Sequence, residues 1–214
     1  MGVDVTTSWY IECDQDQDIS QGDILLNFPI LIPHEPDLDF TDPDWQTKPV
    51  RNKVYKTSIV IMSQACDLVS DTSQKRKPID YVLVCRIVSV ADIGLPEPKG
   101  TQQFTKRHDF IKEIFSGSRP NLHMIGKHEG EPEINFHVVD FSETFSIPYK
   151  ILEKYKNVHG KRLRLNTPHR EYLSQRFGNF YTRIGLPNDD HVSRQIVLDS
   201  VTNDRREREV RPEV

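Results

Sequence analysis

Lys53-Val54-Tyr55-Lys56-Thr57-Ser58-Ile59-Val60-Ile61-Met62-Ser63 is the clearest strand of the chain, and its reading decides the fold. Ile59 to Met62 form a nearly continuous, β-branched apolar run, the pattern of a strand buried on both faces. A polar, lysine-rich loop from Ser70 to Pro78 follows it. The next apolar run, Tyr81-Val82-Leu83-Val84-Cys85-Arg86-Ile87-Val88, is its natural neighbour, because sequential strands usually pair. Upstream, Gly22-Asp23 announces a strand from Ile24 to Ile32. Pro29 within it has no N–H for a ladder, which places that strand at an edge or a bulge. Residues 34–52, set among Pro33, Pro36, Pro43 and Pro49, read as one long loop. Loops of that length in a folded domain are usually functional or disordered.

Downstream, Phe104 to Phe115 has helical spacing. Leu122 to Ile125 and Ile134 to Val139 are short strands, and Lys127 to Pro132 reads as their hairpin loop. Pro148 to Tyr155 predicts a short helix and Arg162 to Leu165 a further strand. Thr167 and Pro168 then suit the start of a helix that Gly185 and Pro187 end. Leu173, Phe177, Phe180 and Ile184 form its apolar stripe, and Arg170, Arg176 and Arg183 its other face. Three segments result: an irregular acidic leader (1–20), a single domain (21–187) and a polar tail (188–214). The fold class is α+β: a small, strongly bent antiparallel sheet or SH3-like β-barrel, two or three covering helices, and a flexible C-terminal tail.

Composition narrows the class. Of 214 residues, 36% are hydrophobic and 28% charged, which suits a real core with polar loops. No apolar run approaches the roughly 18 residues that cross a bilayer, and residues 1–10 show no secretory signal. Cys13, Cys66 and Cys85 are odd in number and lack CxxC spacing, which disfavours a disulfide framework or a four-cysteine zinc site. The expectation is a cytoplasmic protein without a membrane partner. The net charge of −4 conceals an asymmetry: residues 1–47 hold eleven acids and no Lys or Arg, so the rest carries +7. Residues 161–183 hold six basic residues against Glu171 alone. Either a basic face meets a polyanion, or the leader folds against that face and neutralises it.

The segment that draws attention for function is Ser63-Gln64-Ala65-Cys66-Asp67, where the buried strand gives way to a loop. A sheet fixes such residues while the loop exposes them. Cys66 beside Asp67 suggests a nucleophile if a histidine takes its proton, with His123 as candidate base and Asp140 to orient it. The structural alternative makes Cys66 a small hydrophobe and Asp67 a turn cap; an adjacent acid also blunts a thiol. Binding through Ser63, Gln64 and Asp67 therefore ranks above covalent catalysis. His123, His128 and His137, with Glu129, do not match a helix-based zinc motif, so no metal or cofactor is expected. No GxxxxGK, GxGxxG or GxSxG motif is present. Arg170 and Arg176, near Tyr172 and Tyr181, could meet RNA by phosphate contact and stacking.

Gly22-Asp23-Ile24-Leu25, a long loop, and Ser58-Ile59-Val60-Ile61-Met62-Ser63 together resemble the start of PemK/MazF-type proteins over residues 20–90. That resemblance implies a compact SH3-like barrel and endoribonuclease activity; the family's Arg-Pro ahead of the second strand is Lys56-Thr57 here. A broader resemblance joins the SQxCD strand end, Arg170-Glu171-Tyr172-Leu173-Ser174-Gln175-Arg176-Phe177 and Arg183-Ile184-Gly185-Leu186-Pro187. It points to a group of bacterial proteins with no assigned activity. The expected function is a non-catalytic binding module for a polyanion or a protein partner, in a toxin-like or defence setting. Its rival is a ribonuclease or other hydrolase that uses Asp67 with His123 or Arg119.

Overall fold

The computed structural model describes residues 8–69, 77–93 and 101–182, with the side chains of 101–107 excepted. The strands are β1 (Tyr10–Cys13), β2 (Asp23–Pro33), β3 (Asn52–Ile61), β4 (Tyr81–Ser89), β5 (Leu122–Ile125), β6 (His137–Pro148) and β7 (Arg162–Leu165). The helices are α1 (Ala65–Leu68), α2 (Thr101–Ser116), α3 (Tyr149–His159) and α4 (His169–Tyr181). The seven strands form one antiparallel sheet in the order β1-β7-β2-β3-β4-β6-β5. The α+β class is as the sequence predicts. The 34–52 connection contains two short 3-10 turns, Glu35–Asp37 and Trp45–Thr47. The tail 188–214 and the helix stop at Gly185 and Pro187 lie outside the described residues.

The sheet is not a closed barrel, because its edge strands β1 and β5 do not pair with each other. It is nevertheless strongly curled. Laid flat, seven strands would span roughly 29 Å at about 4.8 Å per step. Yet one apolar cluster takes residues from every strand, including Tyr10, Ile24, Val60, Ile87, Ile125, Val139, Phe141 and Leu163. Side chains bridge the two margins. The Tyr10 hydroxyl donates to the Gly126 carbonyl at 2.5 Å, and His128 Nε2 lies 3.2 Å from Glu12. Burial pushes the Tyr10 phenol far above its ordinary range. Leu173, Phe177 and Phe180 of α4 pack against this concave cluster. On the convex side Leu152 of α3 and Leu68 of α1 join Leu25, Ile59, Ile61, Val82 and Val84. Phe110 and Ile114 of α2 cover Leu122, Met124 and Val138. Val60 and Ile61 thus bury opposite faces of one strand, which accounts for the unbroken run.

Trp9 seals the joint between the margins. A Cβ added at Gly126 would stand 2.7 Å from three indole atoms. The indole is also stacked on His169, with ring centroids 3.7 Å apart, so it has little room to retreat. Gly126→Ala should therefore cost about 1–3 kcal/mol of overpacking strain, read as a lowered Tm. An unchanged melting curve would show that the indole shifts freely.

Two expectations need correction. The leader is not irregular throughout: Tyr10 and Cys13 are buried in β1, and Ile19 is buried as well. Its four residues, buried only at Tyr10 and Cys13, show no alternation that would mark a strand, and β7, its partner, lies far along the chain. The strand predicted at Ile134–Val139 begins at His137 and continues to Pro148, while Ile134 forms only an isolated bridge to His128.

Candidate functional site

The pentapeptide leaves β3 through a latch. Met62 N–H and Ser63 N–H both donate to the Leu83 carbonyl, at 2.8 and 3.3 Å, and Ser63 Oγ accepts the Leu83 N–H at 2.8 Å. Ser63 thereby extends the ladder to β4. Ala65–Leu68 is one helical turn that follows an extended Gln64, and Leu68 anchors it in the core. Ile79 N–H donates to the Asp67 carbonyl at 3.0 Å. Gln64 and Cys66 face solvent, the thiol 3.8 Å from Gln64 Oε1 and 3.6 Å from Asp67 Oδ1.

The predicted base does not reach that thiol. β4 and β6 separate β3 from β5, so His123 stands three strand spacings, roughly 14 Å, from β3 along the sheet. Its register partner Val139 faces Ile87, which faces Ser58, so His123 is level with Ser58 rather than with the strand end. Proton transfer needs contact at about 3 Å. Nor does Asp140 orient His123. His123 stacks toward Phe141 inside the curl, whereas Asp140 pairs with Leu122 on the convex face. Neighbouring strand residues point to opposite sides. His123 is 9% exposed, and its Nδ1 is buried with no partner. Burial pushes its pKa down to about 4, helped by Arg176 and His169.

Arg119 and Asp140 do come together. They line a convex-side pocket of about 290 Å³ with Arg86, Asp92, Phe110 and Glu143. Most of its charge is already paired: Arg86 Nη1 meets both Glu143 oxygens at 2.6 and 2.9 Å. Arg119 lies over the Phe110 ring at 4.4 Å and donates to Glu113 at 2.7 Å. Asp140 accepts the Ser142 N–H at 2.9 Å. These contacts brace the pocket wall and assemble no nucleophile with a base.

The arginines assigned to a polyanion are engaged within the fold. Arg176 donates to the carbonyls of Ile114, Arg119 and Leu122, at 3.3, 3.4 and 2.9 Å, tying α4 to the end of α2. Arg170 Nη2 meets Glu171 at 2.7 Å. Arg162 and Arg164 converge on buried Asp23, and Arg162 Nη1 and Nη2 and Arg164 Nη2 donate to the carbonyls of Asp14, Gln17 and Asp18. Much of the basic cluster is thus the socket for the acidic leader. Among the described residues, no group of three or more His, Cys, Asp or Glu is placed to hold a metal ion. His137 Nδ1 is bonded to the Asn135 carbonyl, and Glu129 is paired with Lys127.

A further feature escaped the sequence reading. β2 meets β7 only at Asp23 and Ile24, and β3 meets β4 only from Ser58 onward. Between those limits the six pairs from Phe28↔Thr57 to Pro33↔Asn52 form a two-stranded arm, roughly 20 Å long, that runs beyond the shared sheet. Phe28 and Ile30 root it in the core, but Leu31 is 63% exposed, Val54 60%, Ile32 43% and Tyr55 36%. Leu31 and Val54 stand directly opposite each other. Phe40 and Trp45 pack edge to face in the connection at the tip. The arm was missed because alternation along a strand marks one apolar face without saying what covers it.

The chain is therefore an α+β protein with a curled, open seven-stranded sheet and a protruding hairpin arm. No family model matches it, and neither a curated protein nor a solved structure is significantly similar. None of the described helices is long and apolar enough to cross a membrane.

Proposed function

We propose that this chain is a non-catalytic binding module that engages a protein partner through the β2–β3 arm. The arm itself carries the reading. Two-stranded ribbons are marginal in water on their own, and a contiguous exposed apolar patch marks an interaction surface. Leu31 and Val54, directly opposed, supply such a patch on one face of the arm, while Ile32 and Tyr55 are exposed on the other. The protein partner is preferred over RNA because Arg170 and Arg176 are engaged in bonds within the fold. Lys48 and Arg51, at the tip, pair with Asp42 and Asp37. Asp37 is held well below the usual carboxylate range by hydrogen bonds from Arg51.

The test compares the wild-type chain with a Leu31→Asp/Val54→Asp double variant. Both sites are exposed, so the variant should fold normally by circular dichroism. The wild type, tagged in its own cells, should retain a stoichiometric protein that the variant loses. Equal recovery by both would overturn the reading. Incubation with RNA, with and without Asp67→Ala, tests the rivals: salt-sensitive binding supports a polyanion module, and cleavage lost in the variant supports a ribonuclease.

A further inference from the structure

We infer that the partner docks by adding an extended strand to the free edge of β3 at Asn52–Thr57, and that this strand carries acidic residues on either side of an apolar pair. The inference rests on the partner-binding reading of the arm and specifies its mode. Over Asn52–Thr57 the β3 backbone is paired on one side only, by β2. Among the described residues no other backbone bonds to it. In an antiparallel ladder alternate residues turn both N–H and C=O to the outer side, and such an edge is a template for another strand. The opposite margin of the arm is poorer, since Pro29 and Pro33 of β2 lack an N–H.

The side chains along this edge select the occupant. Val54 and Tyr55 are exposed on opposite faces, and Arg86 lies 5.3 Å from the Tyr55 ring, steadying it from beneath. Lys53 and Lys56 flank them; both are exposed, and among the described residues neither has an ion-pair partner. Read across the ladder, Lys53-Val54-Tyr55-Lys56 calls for acid, apolar, apolar, acid in four successive positions of the incoming strand. Directly opposed unlike charges and apolar pairs stabilise such a ladder, and like charges oppose it. A second copy of this chain fits poorly. Asn52–Thr57 holds no acidic residue, so when two β3 edges pair antiparallel neither Lys53 nor Lys56 meets a counter-charge. The lysines thus favour an acidic strand, which supplies those counter-charges, over a second copy, which does not.

A displayed library of random twelve-residue peptides, selected against the folded full chain, tests this directly. Enriched sequences should share the acid–apolar–apolar–acid pattern, and a synthetic peptide of that pattern should slow amide exchange at Asn52–Thr57. The Lys53→Glu/Lys56→Glu variant should bind the peptide about tenfold or more weakly. It should also select basic residues at the same two positions. No enrichment, identical enrichment on both proteins, or protection elsewhere would overturn strand addition. Concentration-dependent self-association of the wild type, abolished by Val54→Pro, would overturn it in favour of a second copy. If strand addition fails while the Leu31→Asp/Val54→Asp variant still loses its cellular partner, the module reading stands and only the docking mode falls.

Discussion

Asp23→Ala should lower the unfolding free energy by about 3–5 kcal/mol, the usual consequence of removing one partner from a buried ion cluster. Asp23 is fully buried and Arg162 is 3% exposed. Arg162 Nε donates to Oδ2 at 2.7 Å, Arg164 Nη2 to Oδ2 at 3.1 Å and Nε to Oδ1, and Ser20 N–H to Oδ2 at 3.0 Å. Alanine would leave two neighbouring guanidinium groups with no counter-charge, one of them sealed from water. It would also free the loop at Asp14–Asp18, whose carbonyls these arginines hold. Asp23→Asn keeps the shape but not the charge, and should recover only part of the loss. Urea titrations followed by circular dichroism decide the matter. A change below about 1 kcal/mol would mean that water enters and solvates the arginines.

Acidification should expose the second large effect. The folded His123 titrates near 4 against an ordinary 6.5. Above pH 6.5 the ring is neutral folded and unfolded, and no cost arises. As pH falls from 6.5 toward 4 the unfolded chain takes up the proton first, so stability declines; below 4 both states are protonated and the decline ends. The full difference is roughly 3 kcal/mol. His123→Leu removes the titrating group and the unpartnered Nδ1 together, and should hold its pH 7 stability within about 1 kcal/mol. Its pH profile between 4 and 6.5 should be flatter than that of the wild type by that same amount. Parallel profiles would show that the ring protonates freely in the folded protein.

These two residues illustrate what can and cannot be read from sequence. β3 was legible because Ile59, Val60 and Ile61 meet cores on both faces, and no other environment suits such a run. β4 and β5 follow the same logic, whereas β7 turns its apolar residues, Leu163 and Leu165, to one core only. Asp23 was not legible as a core residue: it stands beside a turn glycine, and the arginines that neutralise it lie some 140 positions later. The same arginines looked like a polyanion site for that reason. Closure of the sheet was also unreadable, because a curled sheet and a barrel share one alternation and differ only in whether the margins bond. Within the candidate segment, Ser63 attracted notice as a polar residue at a strand end, and its part in the structure is to accept the Leu83 N–H. Val54 and Tyr55 were read as strand, as they are, but periodicity gave no sign that their strand runs out past its neighbours.

The pairing of Tyr10 with Leu165 also governs how the molecule can be made. During synthesis on the ribosome, β1 has no mate until β7 has emerged, and β2 waits equally long for its contact through Asp23 and Ile24. Non-local pairings of this kind slow the search for the native state and leave nascent strand margins open to wrong partners. The residues of β1 and the start of β2 are thus among the last of the described fold to settle.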